Sequence, residues 1–149
     1  MVTAMILAGG VGSRVGAECP KQFIEVFGKP ILAYTIEIYQ KNSQVEAIEI
    51  VCHEDWIDYL KKMIKKYDLS KVRWITQGGK TFQESVINGM KYLKDKLNMD
   101  DIVMIHYGAA PFSSQHIIQD GIEKCRKYGM SVSCCLLYTS DAADEARSV

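Results

Sequence analysis

The chain has 149 residues, enough for one domain with a real core and too few for two of ordinary size. Hydrophobic residues make up 48% and charged residues 24%, the composition of a soluble globular protein. Lys and Arg number 18 and Asp and Glu number 18, so zero net charge gives no reason to expect nucleic acid or an anionic membrane as partner, and any anion site must be local.

The first element is an apolar run at Thr3–Leu7, read as a buried strand. It is far too short to span a bilayer and has no basic residue ahead of it, so neither an anchor nor a secretory leader is expected, and the expected location is cytoplasmic. The run leads straight into "LAGGVGSRVGAECPKQF", Leu7–Phe23, with Gly9, Gly10, Gly12 and Gly16 close together and Arg14 and Lys21 beside them. Glycine is entropically costly to order, so such a cluster marks positive φ or close approach of a ligand to the backbone. The two cations suggest an anionic ligand.

Further strands are expected at Ala47–Cys52, Val72–Thr76, Ile102–His106 and Ser131–Leu137, because short β-branched runs suit strands covered on both faces. Helical spacing occupies Ile31–Lys41, Trp56–Tyr67, Phe82–Leu93 and Gln115–Tyr128. In the second of these, Trp56, Leu60, Met63 and Tyr67 form a core-facing stripe, with Lys61, Lys62, Lys65 and Lys66 on a solvated face. This alternation specifies an α/β domain with a mainly parallel sheet and helices on its faces. Ligands in such domains bind where strands end and loops begin. Gly9–Pro20, Gly78-Gly79 and Tyr107–Pro111 all fall at such ends, so one pocket is expected between them.

Five cysteines form no CxxC pair and no zinc spacing, and are read as reduced thiols. His53-Glu54 opens like a zinc HExxH motif, but position 57 is Ile, and His116 falls on a helix surface. His106, at a strand end, is read as a structural histidine in preference to a ligand contact.

Three phosphate-loop types compete for the glycine cluster. No GxxxxGK[ST] string occurs, which removes the Walker A loop. A dinucleotide fingerprint needs a third glycine where Val15 stands, and an acidic residue at the second strand's end that comes far sooner than Glu54 or Asp55. The third type is a nucleotidyltransferase loop, whose bare backbone lets amides approach a triphosphate.

Here "LAGGVGSRVGAECPKQFIEVFGKPIL" resembles the opening signature of the bacterial cytidylyltransferases that make CDP-methylerythritol or CDP-ribitol. "GGKTFQESVINGM" resembles their second nucleotide loop, and "VMIHYGAAPF" stands where they carry "IHDAxRPF". The resemblance spans residues 1–133 and implies a Rossmann-like nucleotidyltransferase fold. It also implies transfer of CMP from CTP to 2-C-methyl-D-erythritol 4-phosphate or ribitol 5-phosphate, with release of pyrophosphate, as in isoprenoid or ribitol phosphate metabolism. Mg2+ is the implied cofactor and a homodimer the implied assembly. A nucleotidyltransferase for another sugar phosphate, or a nucleotide-binding fragment without turnover, are the alternatives.

The attacking group in this chemistry is already a phosphate anion, so no Ser, Cys or His nucleophile is required; relief of charge repulsion is. By resemblance, Arg14 and Lys21 are the residues that stabilise the transition state. Leu7, Ala8, Gly9, Gly10 and Gly12 then pass beside the nucleotide, with Gly79, Lys80, Thr81 and Ser85 closing the other side. Ser85 should bond base or ribose; a plain helix-start serine is its alternative.

Tyr107 and Ala110 stand where the family has Asp and Arg, which puts the metal ligands and the choice of acceptor in question. From Cys134 onward the sequence follows neither strand nor helix period and resembles a translated sequencing adapter. Residues 134–149 are therefore expected to be foreign to the fold and the chain to be truncated, leaving Ile117, Ile118 and Ile122 less covered.

Overall fold

The computed structural model describes residues 1–10 and 19–134. Gly12 and Arg14, and all of the tail beyond Cys134, lie outside the described residues.

Four strands, β1 (Val2–Ala8), β4 (Ala47–Cys52), β5 (Val72–Gln77) and β6 (Ile102–Tyr107), form one wholly parallel sheet in the order β5-β4-β1-β6. The chain moves outward from β1 to β4 and β5, then returns to β6 on the other side of β1. The carboxyl end of β1 is thus the point where strand order reverses, the usual place for a ligand crevice in an open parallel sheet. Among the described residues the expected continuation of this rhythm at Ser131 is not found: Ser131–Cys134 are exposed and outside any strand. That run reads as β from its composition, but directly after the end of α4 Ser131 Oγ donates to the Gly121 carbonyl at 2.7 Å, which ties it back to the helix.

Side-chain alternation along β1 builds two cores. Val2, Ala4, Ile6 and Ala8 face one side, where α1 (Ile31–Lys41), α2 (Ile57–Lys66) and α4 (Gln115–Tyr128) supply Leu32, Ile36, Leu60, Met63, Ile118 and Ile122. Met5 faces the other, where α3 (Phe82–Leu93) covers it with Leu93 and the bare edge of Gly89. Burial on both faces explains why β1 and β4 read as nearly continuous apolar runs, interrupted only by the buried Thr3 and Glu49. The expected loss of cover over α4 applies to Ile117 alone, which is 46% exposed; Ile118 and Ile122 are packed in the core.

Two local features fall between the predicted elements. A 3₁₀ turn, Glu54–Trp56, takes the first part of the expected helix at Trp56, with His53 Nδ1 accepting the Asp55 amide proton at its start. A two-residue hairpin joins β2 (Glu25–Val26) and β3 (Lys29–Pro30). Its loop residues Phe27 and Gly28 have φ of 52° and 74°, the pair of positive angles that matches strand twist in a tight hairpin.

Candidate active site

Three loops meet at the carboxyl end of the sheet around a cleft of about 580 Å³. Leu7, Gly9, Gly10 and Lys21 line it from the first loop, Gly79, Lys80, Thr81 and Ser85 from the second, and Tyr107–Ala110 from the third. Eight of the eleven residues singled out from the sequence therefore share one cavity. Ala8 does not line it: its side chain is packed in the core, and only its backbone carbonyl takes part in the loop. Arg14 and Gly12 lie outside the described residues.

Lys21 opens a 3₁₀ turn, Lys21–Phe23, whose other two residues are buried. Phe23 is buried and stacks on Trp56 at 4.8 Å between ring centroids, and Gln22 is buried beside it. Gln22 Nε2 donates to the carbonyls of Ala8 at 2.7 Å and Gly10 at 2.9 Å. With its two neighbours held inward, Lys21 is left exposed on the cleft side. Gln22 was missed in the sequence, although a glutamine directly after a glycine loop is a natural donor for carbonyls that no strand pairs.

The second loop is organised by α3. Thr81 caps the helix, its hydroxyl accepting the Glu84 amide proton at 3.1 Å. Ser85, one turn in, accepts the Gly79 amide proton at 3.0 Å and donates to the Thr81 carbonyl at 3.0 Å. The hydroxyl expected to bond a nucleotide is thus committed to holding the loop, while its residue still lines the cavity. Glycine is required at position 79, because a Cβ there would overlap the Cβ of Glu84. The first and second loops touch directly: a Cβ on Gly9 would lie 3.6 Å from the Gly78 Cα and 3.3 Å from Ser85 Oγ.

The third loop is tied to β1 and α1. Gly108 donates to the Leu7 carbonyl at 2.8 Å and its own carbonyl accepts from Thr35 Oγ1 at 2.8 Å. His106 points away from the cleft, its Nε2 within 2.8 Å of Ser113 Oγ and its ring edge-on to Tyr39. Burial holds its pKa below the ordinary histidine value, in keeping with a structural role.

The electrostatics are those of an anion site. Lys21 and Lys80 line the cleft with the N-terminal turn of α3, whose dipole favours negative charge, and no carboxylate lines it among the described residues. No group of three His, Cys, Asp or Glu side chains able to hold a metal is present among the described residues either. The lining therefore does not fit a magnesium ion held by carboxylates of this part of the chain. His53 takes part only in its local turn.

The model of the 2-C-methyl-D-erythritol 4-phosphate cytidylyltransferase (IspD) family matches residues 2–146, reaching into the stretch 134–149 that was set apart above. A ribitol-5-phosphate cytidylyltransferase from Lacticaseibacillus paracasei is 41% identical over 133 residues, covering 89% of this chain and 57% of that protein. A 2-C-methyl-D-erythritol 4-phosphate cytidylyltransferase from Clostridium kluyveri is 45% identical over 127 residues, covering 85% and 53%. The crystal structure of 4-diphosphocytidyl-2C-methyl-D-erythritol synthase from Anaerococcus prevotii superimposes with a TM-score of 0.67 at 28% identity, over 85% of this chain and 51% of that one. The chain thus spans about half the length of the curated relatives it matches. No helix among the described residues is long and apolar enough to cross a membrane. On fold, loop order and family match together, the chain belongs to the 2-C-methyl-D-erythritol 4-phosphate cytidylyltransferase family.

Proposed function

We propose that the cleft binds CTP and that the protein transfers CMP from it to a polyol phosphate, releasing pyrophosphate. The observation that carries this reading is the convergence of Gly9, Gly10, Lys21, Gly79, Lys80, Thr81 and Ser85 on one cavity at the strand-order reversal. Bare backbone at Gly9 and Gly10 lets phosphate oxygens approach main-chain amides, while Gly79 gives its amide to Ser85 and keeps the second loop close to the first. Lys21 meets the charge that shifts during attack of one phosphate on another, a demand for electrostatic stabilisation with no nucleophilic side chain. Arg14 is proposed to share that role from the same loop.

Ala8 contributes backbone that Gln22 holds in place, Lys80 faces the phosphates with Lys21, and Thr81 and Ser85 shape the side facing the base and ribose. Both 2-C-methyl-D-erythritol 4-phosphate and ribitol 5-phosphate occur in relatives' names, so the acceptor class proposed is a polyol phosphate. Magnesium finds no carboxylate ligand on the described lining, and no step is assigned to it. A cytoplasmic location, a homodimer and the absence of a nucleic-acid partner complete the proposal; the balanced charge supports the last of these.

Thermal denaturation with each of the four ribonucleoside triphosphates tests the reading. A ligand that binds only the folded state raises the melting temperature by mass action. CTP should raise it more than ATP, GTP or UTP. Equal shifts from all four would remove the cytidine assignment, and no shift would remove the nucleotide cleft.

A further inference from the structure

We infer that Phe82 and Tyr107 form an aromatic wall that selects the acceptor, receiving the uncharged carbon face of a polyol chain while anionic groups stay on the Lys21–Lys80 side of the cleft. The inference rests on the proposed cytidylyl transfer. Phe82 is the first residue of α3 and Tyr107 the last of β6, so two different loops supply the rings. Their centroids are 5.4 Å apart with planes tilted by 35°, and both line the cavity.

Core packing does not account for the pair, since Phe82 is 45% and Tyr107 61% exposed. Large aromatic rings left open at a cavity, each on a fixed backbone, are recognition surfaces more readily than structural ones. The backbone on both sides is fixed: Thr81 caps the helix beside Phe82, and Gly108 ties the chain after Tyr107 to Leu7 and Thr35.

The third loop differs from the first two in charge. Lys21 and Lys80 come from the first two loops, whereas Tyr107–Ala110 brings no cation. An anionic group placed against the rings would lose hydration and gain no partner. A polyol chain that turns its C–H groups to the rings can leave its hydroxyls facing water, and those weakly positive C–H groups meet the negative faces of the rings. The wall therefore favours an acceptor whose far end is a neutral polyol and disfavours one carrying a second anion.

The test uses the 149-residue chain with saturating CTP and ribitol 5-phosphate as probe, followed by saturation-transfer NMR from the aromatic protons. Carbon-bound protons of the probe should receive saturation and shift upfield. Tyr107→Leu and Phe82→Leu should each remove that signature and weaken apparent probe affinity about two- to tenfold, the scale of one aromatic contact. Tyr107→Phe should retain it. The CTP-induced melting shift, read in every variant, reports folding and nucleotide binding separately. With CTP bound, absence of ring contact, or contact unchanged in both leucine variants, overturns the wall and leaves the CTP reading standing. Absence of any CTP shift in the unmodified chain overturns the cytidylyl reading and this inference with it.

Discussion

Gln22 holds the end of β1 through Ala8: its side-chain amide donates to that carbonyl at 2.7 Å and to the Gly10 carbonyl at 2.9 Å. One buried side chain thereby fixes both the start of the glycine loop and the turn that presents Lys21.

Replacing Gln22 by Ala should destabilise the fold by about 1–3 kcal/mol, because two carbonyls lose their donor and a buried volume is left empty. Urea titration measures this. The CTP-induced melting shift should fall as well, since the turn carrying Lys21 is no longer tied to β1. A variant with unchanged midpoint and unchanged CTP response would show that the two hydrogen bonds hold nothing.

Glu49 gives a pH prediction. It lies fully buried in the centre of the sheet, with one carboxylate oxygen accepting from Thr76 Oγ1 at 2.6 Å and the other without a partner. Burial pushes its pKa from the ordinary 4.5 up to about 7, against smaller opposing effects from Thr76 and Lys96. The folded state thus binds the proton more tightly than the unfolded state. The resulting stability is complete below pH 4.5 and is lost as pH rises through about 7. Glu49→Gln keeps an acceptor for Thr76 and cannot ionise, so it should gain on the unmodified chain between pH 5 and pH 8, by on the order of 1–3 kcal/mol. Parallel denaturation curves across that range, with a constant difference, would contradict the buried carboxyl account.

Gly79 should tolerate no side chain. A Cβ there overlaps Glu84 Cβ and comes within 3.0 Å of the Glu84 carbonyl carbon, so the loop itself must move. Movement breaks the hydrogen bond from the Gly79 amide to Ser85 Oγ. Gly79→Ala should therefore weaken CTP binding by roughly tenfold or more while costing the fold only about 1–3 kcal/mol, the usual range for local overpacking. Calorimetric titration of CTP against a urea midpoint separates the two effects.

The sheet was legible because β1, β4, β5 and β6 are short runs rich in β-branched and apolar residues between helices with clear periodicity, and α1, α3 and α4 begin and end where the spacing says they should. The β2–β3 hairpin was not, since its turn rests on Phe27 in a positive-φ conformation that its residue type does not announce. The meeting of three loops was legible from glycine- and proline-marked strand ends, and the individual lining residues from the resemblance to the family's motifs. What stayed hidden depends on contacts distant in sequence: Gln22 reaching back to Ala8, Ser85 spending its hydroxyl on Gly79 and Thr81, and Phe82 meeting Tyr107. No local pattern encodes a partner that only the fold brings near.

Lys21 carries the last prediction. It is exposed at the cleft on a turn whose other two residues are buried, so removing its side chain leaves Gln22 and Phe23 to hold the backbone. Lys21→Ala should accordingly keep the melting temperature of the unliganded chain. CTP binding should weaken only several-fold, because backbone amides and Lys80 still meet the triphosphate. Turnover, measured as pyrophosphate release in a version carrying the relatives' C-terminal portion, should fall by about a hundred- to thousand-fold, the typical loss of one preorganised electrostatic donor. The asymmetry is the informative part. Equal losses in binding and turnover would mean that Lys21 holds the ground-state nucleotide, and near-normal turnover at saturating substrate would remove it from the chemistry altogether.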